Sequence, residues 1–303
     1  MKADSDQASQ VWTIVRLLAW TSDYFSTHGI DSPRLTAELL LSHSLSMKRL
    51  DLYLQHDKPL GPDELARFKT LIKRRKDREP VAYITGSKGF WTLDLGVTSD
   101  VLIPRPDTEC LVEAALRIMP ETNPDGPLRV VDLGTGSGAI VLSLASERPD
   151  NLYYTVDISE KALVVAKKNK AANGIDASVS FIRGSWFGPF VDQPVFDLVV
   201  SNPPYIPSGD IQGLEPEITR YEPMLALDGE RDGLACIRRI LSEAPVCLKD
   251  GGWLMMETGY DQKQAVISLA EQAGCYGDID YIRDAAGHDR VVIMRKMTPP
   301  GRT

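Results

Sequence analysis

Cysteine, histidine and long apolar runs are all scarce in this 303-residue chain. The four cysteines, Cys110, Cys236, Cys247 and Cys275, lie far apart with no CxxC spacing, which disfavours a zinc ribbon or a disulfide framework. No stretch approaches the roughly 18 uncharged apolar residues that a membrane span needs. The opening MKADSDQASQ is polar and acidic, unlike a secretory signal. Low-complexity tracts are missing too, so disordered and fibrous classes fit poorly. Together these absences lead to the expectation of a reduced, cytoplasmic protein with no membrane partner. Of the four histidines, His28, His43 and His56 fall in a helical region and His288 stands alone in AGHDR, where it reads as a surface turn. There is no G-x-S-x-G elbow, no H-E-x-x-H and no GKS/GKT phosphate loop.

What is present is ordinary in amount and uneven in placement. Hydrophobic residues make up 43% and charged residues 25%, at a length suited to one large or two modest domains. The net charge is −8, but residues 1–80 carry +2 and the remainder −10. A protein that grips nucleic acid by its phosphates has the opposite balance in its main domain, so no direct nucleic-acid substrate is expected. The one basic run, Lys73 to Lys76, ends a helical stretch, where it complements the helix dipole.

Periodicity divides the chain in three. Residues 1–80 read as a small all-α bundle. Val11, Ile14, Val15, Leu17, Leu18 and Phe25 share one stripe, Gly29 offers a stop, a helix starts at Asp31-Ser32-Pro33 with a cap candidate before the proline, and another follows Gly61. This bundle carries no chemistry and suits docking. Over 81–101, VAYITG and FWTLDLGV alternate around Gly86–Gly89, which predicts a β-hairpin linker. From 102 to 303, strand and helix patterns alternate: LRVVDLG, AIVLSLASE, YYTVDIS, EKALVVAKKNKAAN, SVSFIRG, FDLVVSNPP, CIRRILSEAPVCL, GWLMMETG, QAVISLAEQAG and DRVVIMRK. That is the signature of a parallel α/β sheet covered on both faces. Residues 206–233 hold several Pro and Gly and show no regular element, so they read as a long loop that closes over a substrate.

Gly134-Thr135-Gly136-Ser137-Gly138 lies between a strand and a helix, where glycines let the backbone turn tightly and approach a ligand. Asp157 follows the next strand, 23 residues after Gly134, placed to accept from both hydroxyls of a ribose. Gly134, Gly136 and Ala139 also fit the dinucleotide pattern, so the loop alone leaves NAD and S-adenosyl-L-methionine both open.

Asn202-Pro203-Pro204-Tyr205 ends the fourth strand of the series. In a sheet whose order reverses after its first strand, that end faces the glycine loop. The tetrad suits methyl transfer to a planar nitrogen, whose delocalised lone pair needs aiming rather than a strong base. The Asn202 side-chain carbonyl accepts one N–H and the Pro203 backbone carbonyl the other. Two consecutive prolines restrict the backbone and so aim that carbonyl. Tyr205 offers a flat face to the planar group. A nucleotide-binding module or an NAD enzyme would leave the tetrad unexplained.

With REPVAYITGSKGFW, VLIPRPDTECLVE, VVDLGTGSGAIVLSLASERPD, VSNPPYI, YEPMLALDGERDGL and GHDRVV in view, nearly the whole chain resembles the HemK/PrmC family of protein-(glutamine-N5) methyltransferases. NPPY alone is shared with adenine-N6 DNA methyltransferases, whereas IPRPDTE and the hairpin segment are far more specific. Relatives that methylate a ribosomal-protein glutamine look different around IPRPDTE. The resemblance implies a Rossmann-like, seven-stranded methyltransferase domain using S-adenosyl-L-methionine. Its implied partners are class I peptide-chain release factors, methylated on the glutamine of their Gly-Gly-Gln motif. It also implies that Gly134, Thr135, Gly136, Ser137 and Gly138 line the methionine part of the cofactor, that Asp157 holds the ribose and that Trp186 lies by the adenine. Asn202, Pro203, Pro204 and Tyr205 would bind the amide, with Asn202 bordering the cofactor as well. One departure is Ser185, where the family often has Asp: a hydroxyl still accepts a hydrogen bond from the adenine amino group but without charge.

Overall fold

The structure, a computed structural model, describes residues 11–122 and 126–298; the polar decapeptide that speaks against a signal lies outside them. Two compact units meet at the Gly86–Ser87 peptide. No helix among the described residues is long and apolar enough to cross a membrane.

The first unit contains α1 (Ile14–Thr27), α2 (Pro33–Leu45), α3 (Arg49–Leu54), α4 (Pro62–Lys76) and α5 (Val81–Thr85). Ile14, Leu17, Leu18 and Phe25 of α1 meet Leu40 and Leu41 of α2, Leu52, Phe68, Ile72 and Ile84 in one core. Val11 and Val15 are exposed: Val11 precedes the helix, and Val15 is turned about 100° from Ile14 around its axis. Ser32 does not cap α2 through its side chain, because its backbone is left-handed there and Pro33 opens the helix instead. At α4 the Gly61 N–H donates to Glu64 Oε2 at 2.8 Å, and Lys73, Arg74, Arg75 and Lys76 occupy the last turn.

VAYITG is not a strand. Pro80 opens the short α5 by accepting from Tyr83 and Ile84, and Gly86 closes it at φ +78. Its buried residues, Tyr83 and Ile84, are adjacent rather than alternating, which a strand cannot satisfy against one core. The hairpin is instead β1 (Ser87–Phe90) and β2 (Leu93–Gly96), turning through Trp91. The first six residues of 81–101 thus fall in the helical unit and the hairpin in the second.

The second unit continues with α6 (Glu109–Thr122), β3 (Arg129–Leu133), α7 (Ala139–Glu147), β4 (Leu152–Asp157), α8 (Glu160–Ala172), β5 (Ser178–Arg183) and β6 (Phe196–Ser201). Then come α9 (Pro216–Tyr221), α10 (Ala235–Cys247), β7 (Leu248–Glu257), α11 (Lys263–Ala273), β8 (Tyr276–Arg283) and β9 (Asp289–Lys296). The hairpin is fastened to α8, where Asn169 Nδ2 donates to the Gly96 carbonyl and Asn169 Oδ1 accepts the Gly96 N–H.

The sheet runs β5-β4-β3-β6-β7-β9-β8. Strands β5 to β7 are parallel, and β9 is antiparallel to both its neighbours. The sheet is therefore parallel except at one edge, and β8 had no clear pattern, since only Tyr276 and Tyr281 of its eight residues are buried. Elsewhere both faces are covered. Val130, Leu198, Val200 and Met255 pack under α6 and α7, while Val131, Leu133, Val199 and Met256 pack under α10 and α11. Burial on both sides is why these strands read as continuous apolar runs.

The segment 206–233 is more ordered than a loop. It holds 3-10 turns at Ile211–Gly213 and Met224–Ala226 with α9 between them, and Ile206 pairs with Asp228. Gly213 ends the first turn, Pro216 opens α9 and Pro223 precedes the second turn, and elements this short show no long periodicity.

Candidate active site

Strands β3 and β6 are neighbours, with Leu133 opposite Ser201, and the Ser201 hydroxyl donates to the Leu133 carbonyl at 2.7 Å. The glycine loop leaves one strand end and the tetrad the other. A Cβ built on Gly134 would lie 3.9 Å from the Asn202 backbone carbonyl, so the two segments are in register across the crevice. Gly134, Gly136 and Gly138 all have positive φ, between +55 and +86, a conformation few side chains tolerate.

A cavity of about 320 Å³ opens there, within the range of small-molecule sites. Its wall includes Gly134 to Ser137, Asp157, Ser185, Trp186, Asn202 and Pro204. The Asp157 carboxylate ends β4. Oδ2 accepts from the Gly136 N–H at 2.9 Å and Oδ1 from the Ser159 N–H at 2.8 Å. Each oxygen keeps a lone pair for a further donor, a geometry suited to a vicinal diol. Helix capping is the work of Ser159, whose hydroxyl accepts from Ala162. Burial pushes the Asp157 carboxyl upward, against the two backbone N–H groups that pull it down. Beside Asp157, exposed Ile158 adds apolar wall. Trp186, at φ +50, lines the cavity while its ring packs on the core under β3 and β7.

The tetrad is supported from behind. Asn202 Nδ2 donates to Thr108 Oγ1 at 3.1 Å. The Thr108 hydroxyl donates to Glu257 Oε2 at 2.6 Å, and the Tyr205 hydroxyl to Glu257 Oε1 at 3.0 Å. Burial raises the Glu257 carboxyl, while the two hydroxyls and then Arg290 pull it back. Burial, and then Glu257, also raise the Tyr205 phenol. Pro203 is buried.

Thr108 belongs to IPRPDTE, and each polar residue of that run is engaged elsewhere in the unit. Arg105 pairs with Glu222 at 2.6 Å, and Asp107 with Arg290 of GHDRVV at 3.3 Å. Glu109 Oε1 accepts from the Trp91 N–H at 2.9 Å. Under the glycine loop, Asp132 is 1% exposed. Burial, then the neighbouring Asp157 charge, push it up to about 7. Thr155 reaches its Oδ2 only at 3.5 Å, and no hydrogen bond of good geometry reaches Oδ1.

Gly134, Thr135, Gly136, Ser137, Asp157, Trp186, Asn202 and Pro204 therefore share one cavity. Three sequence candidates stand outside its wall: Gly138, which starts α7, Pro203, and Tyr205, whose ring packs on the core and whose hydroxyl serves Glu257. Thr108, Glu257 and Asp132 were missed. Thr108 lies in a segment the resemblance had already marked, and Asp132 directly precedes the loop, but Glu257 is one carboxylate in an acidic domain and carried no signal.

Comparison with known proteins adds names to this geometry. The family described as PrmC N-terminal domain matches residues 16–86, and the Methyltransferase small domain matches 113–214. The chain is 44% identical to the release factor glutamine methyltransferase of Geobacter sulfurreducens, over 93% of this chain and 96% of that one. Identity is also 44% to the enzyme of the same name from Vibrio cholerae, again over 93% and 96%. Among solved structures, the hMettl16 catalytic domain in complex with MAT2A 3'UTR hairpin 6 superposes with a TM-score of 0.55 at 16% identity. It covers 79% of this chain and 83% of that one, a likeness of fold alone.

Proposed function

The chain belongs to the release factor glutamine methyltransferase family, and from that premise we propose that it methylates N5 of the Gly-Gly-Gln glutamine in class I peptide-chain release factors. The methyl donor is S-adenosyl-L-methionine, a cofactor whose features the cavity residues fit. Asp157 has two outward lone pairs for the ribose hydroxyls, the glycine loop admits a close backbone approach, and Ile158 and Trp186 supply apolar wall beside the adenine. When bound, the donor presents an electrophilic methyl group on a sulfonium.

The observation that carries the reading is the placement of Asn202 in the same wall as Asp157 and the glycine loop. An amide nitrogen there has its two N–H bonds held by the Asn202 side-chain carbonyl and the Pro203 backbone carbonyl. Its lone pair then points toward the cofactor end of the cavity. The bound donor would supply its methyl group to that pair, and the methylated amide, held by Asn202 and Pro203, would then lose one N–H proton. Because its resonance is lost on attack, that nitrogen is acidic and needs no strong base. Orientation of this kind contributes several kcal/mol to barrier reduction. Pro204 restricts Pro203 to extended geometry, and Tyr205 braces the tetrad through Glu257. The helical unit serves to dock the release factor.

The test is methyl transfer from labelled S-adenosyl-L-methionine to a purified release factor, beside the same factor with the motif glutamine changed to alanine. Peptide mass spectrometry should find one added methylene on that glutamine and none on the alanine variant. Absence of label with cofactor binding intact would redirect the search to a ribosomal protein or nucleic acid.

A further inference from the structure

A primary amide is two-faced: its oxygen accepts, its nitrogen donates, and half a turn about one bond exchanges them. Asn202 can receive a substrate N–H only if its oxygen faces the cavity. We propose that Thr108 and Glu257 form a hydrogen-bonded lock of fixed polarity that holds the Asn202 amide with its carbonyl toward the methyl acceptor, which makes Thr108 a positioning residue. This rests on the reading of Asn202 given above.

The polarity follows link by link. Glu257 is 1% exposed at the end of β7, and an ionised carboxylate can only accept. Burial pushes its carboxyl up, but each oxygen takes one hydroxyl donor, and those two donors and then Arg290 pull it back toward the ionised form. The Thr108 proton is therefore directed to Glu257 Oε2, at 2.6 Å. What the Thr108 oxygen has left is acceptor capacity, so the Asn202 atom 3.1 Å away must be the NH2 group. The Asn202 oxygen is thereby turned from Thr108. Meanwhile the Tyr205 hydroxyl occupies the other carboxylate oxygen and stops Glu257 from rotating away. Thr108 itself reaches the cavity wall, so the lock stands directly behind the site. A flipped Asn202 would aim N–H at N–H and repel the substrate amide.

The test compares wild type, Thr108→Val, Thr108→Ser and Asn202→Ala in the full chain. It reads kcat and KM with purified release factor, S-adenosylhomocysteine affinity by calorimetry, and thermal unfolding. Thr108→Val keeps the side-chain volume but loses the hydroxyl, and kcat should fall about 10- to 100-fold, the scale of one misdirected polar contact. Cofactor affinity should stay within about twofold, because Asp157 and the glycine loop are untouched, and Thr108→Ser should recover most of kcat. If Thr108→Val does not fold, Thr108→Cys, a weak donor and acceptor, should show the same kcat loss with cofactor affinity retained. Wild-type kcat in the Val or Cys variant, or a Ser variant as slow as Val, would overturn the lock. A kcat loss that tracks lost cofactor affinity would also overturn it, in favour of a structural role. Undiminished turnover in Asn202→Ala would instead remove the underlying reading of Asn202.

Discussion

Removing the Asp157 carboxylate gives the sharpest test of how the cofactor is held. In the free protein its oxygens each accept one backbone N–H, at 2.9 and 2.8 Å, and one lone pair on each remains for a ribose hydroxyl. Asp157→Ala would delete both of the proposed ribose contacts. A hydrogen bond to a charged group contributes about 1.5–3 kcal/mol, which sets an upper expectation near twice that for two. Two effects reduce it. The carboxylate is partly desolvated and sits near Asp132, so its removal relieves strain in the free protein. The Gly136 and Ser159 N–H groups lie at the cavity, where water replaces the lost acceptor. The net loss should be about 1.5–3 kcal/mol, or roughly 10- to 150-fold in Kd. Calorimetry with S-adenosylhomocysteine reads it without turnover. A 2′,3′-dideoxy analogue, which lacks both hydroxyls, should bind wild type and Asp157→Ala alike. Equal loss of affinity for the analogue and the parent would refute a direct contact with the ribose and leave Asp157 as a brace for the loop.

Three other outcomes are expected. Asn202→Ala should abolish turnover while largely sparing S-adenosylhomocysteine binding, since it aims the acceptor; lost binding with high residual turnover would contradict that. Arg105→Ala should cost about 3–5 kcal/mol because it strands the Glu222 carboxylate, whose side chain is 1% exposed. Hydrogen exchange should then quicken across 216–226, and unchanged exchange would mean that segment is held by other contacts. Asp132, raised to about 7 in the fold from an ordinary value of 3.8, favours folding most below about pH 4 and loses that contribution as pH climbs to about 7. The difference amounts to roughly 4 kcal/mol, so the gain in melting temperature from Asp132→Asn should be larger near pH 8 than near pH 5. Equal gains at both would place the group's titration elsewhere.

Legibility in the sequence followed the range of the forces involved. Elements long enough to repeat a burial pattern were readable: α1, α4, β3, β4, β6 and their helices announce themselves because one face, or both, must be apolar. Helices of five or six residues were not. α3, α5 and α9 are too short to express a period, and VAYITG alternates by accident. Strand β8 is half-exposed at an edge and carries charge on its open face.

The sequence by itself determined the glycine loop, the Asp157 carboxylate and the NPPY tetrad, because each depends on local covalent facts: a positive φ, a carboxylate at a strand end, two fixed proline backbones. It also placed them at one crevice through the order of the strands. Only the tertiary structure decided which way Asn202 faces. That direction rests on Thr108, Glu257 and Tyr205, the first two separated by 149 positions along the chain. A hydrogen bond has a direction as well as a length, and the direction of a chain of them is set by its most restricted member, here a buried carboxyl that takes one hydroxyl on each oxygen. No periodicity records such a constraint, because it exists only once β6, β7 and the IPRPDTE segment have been packed together.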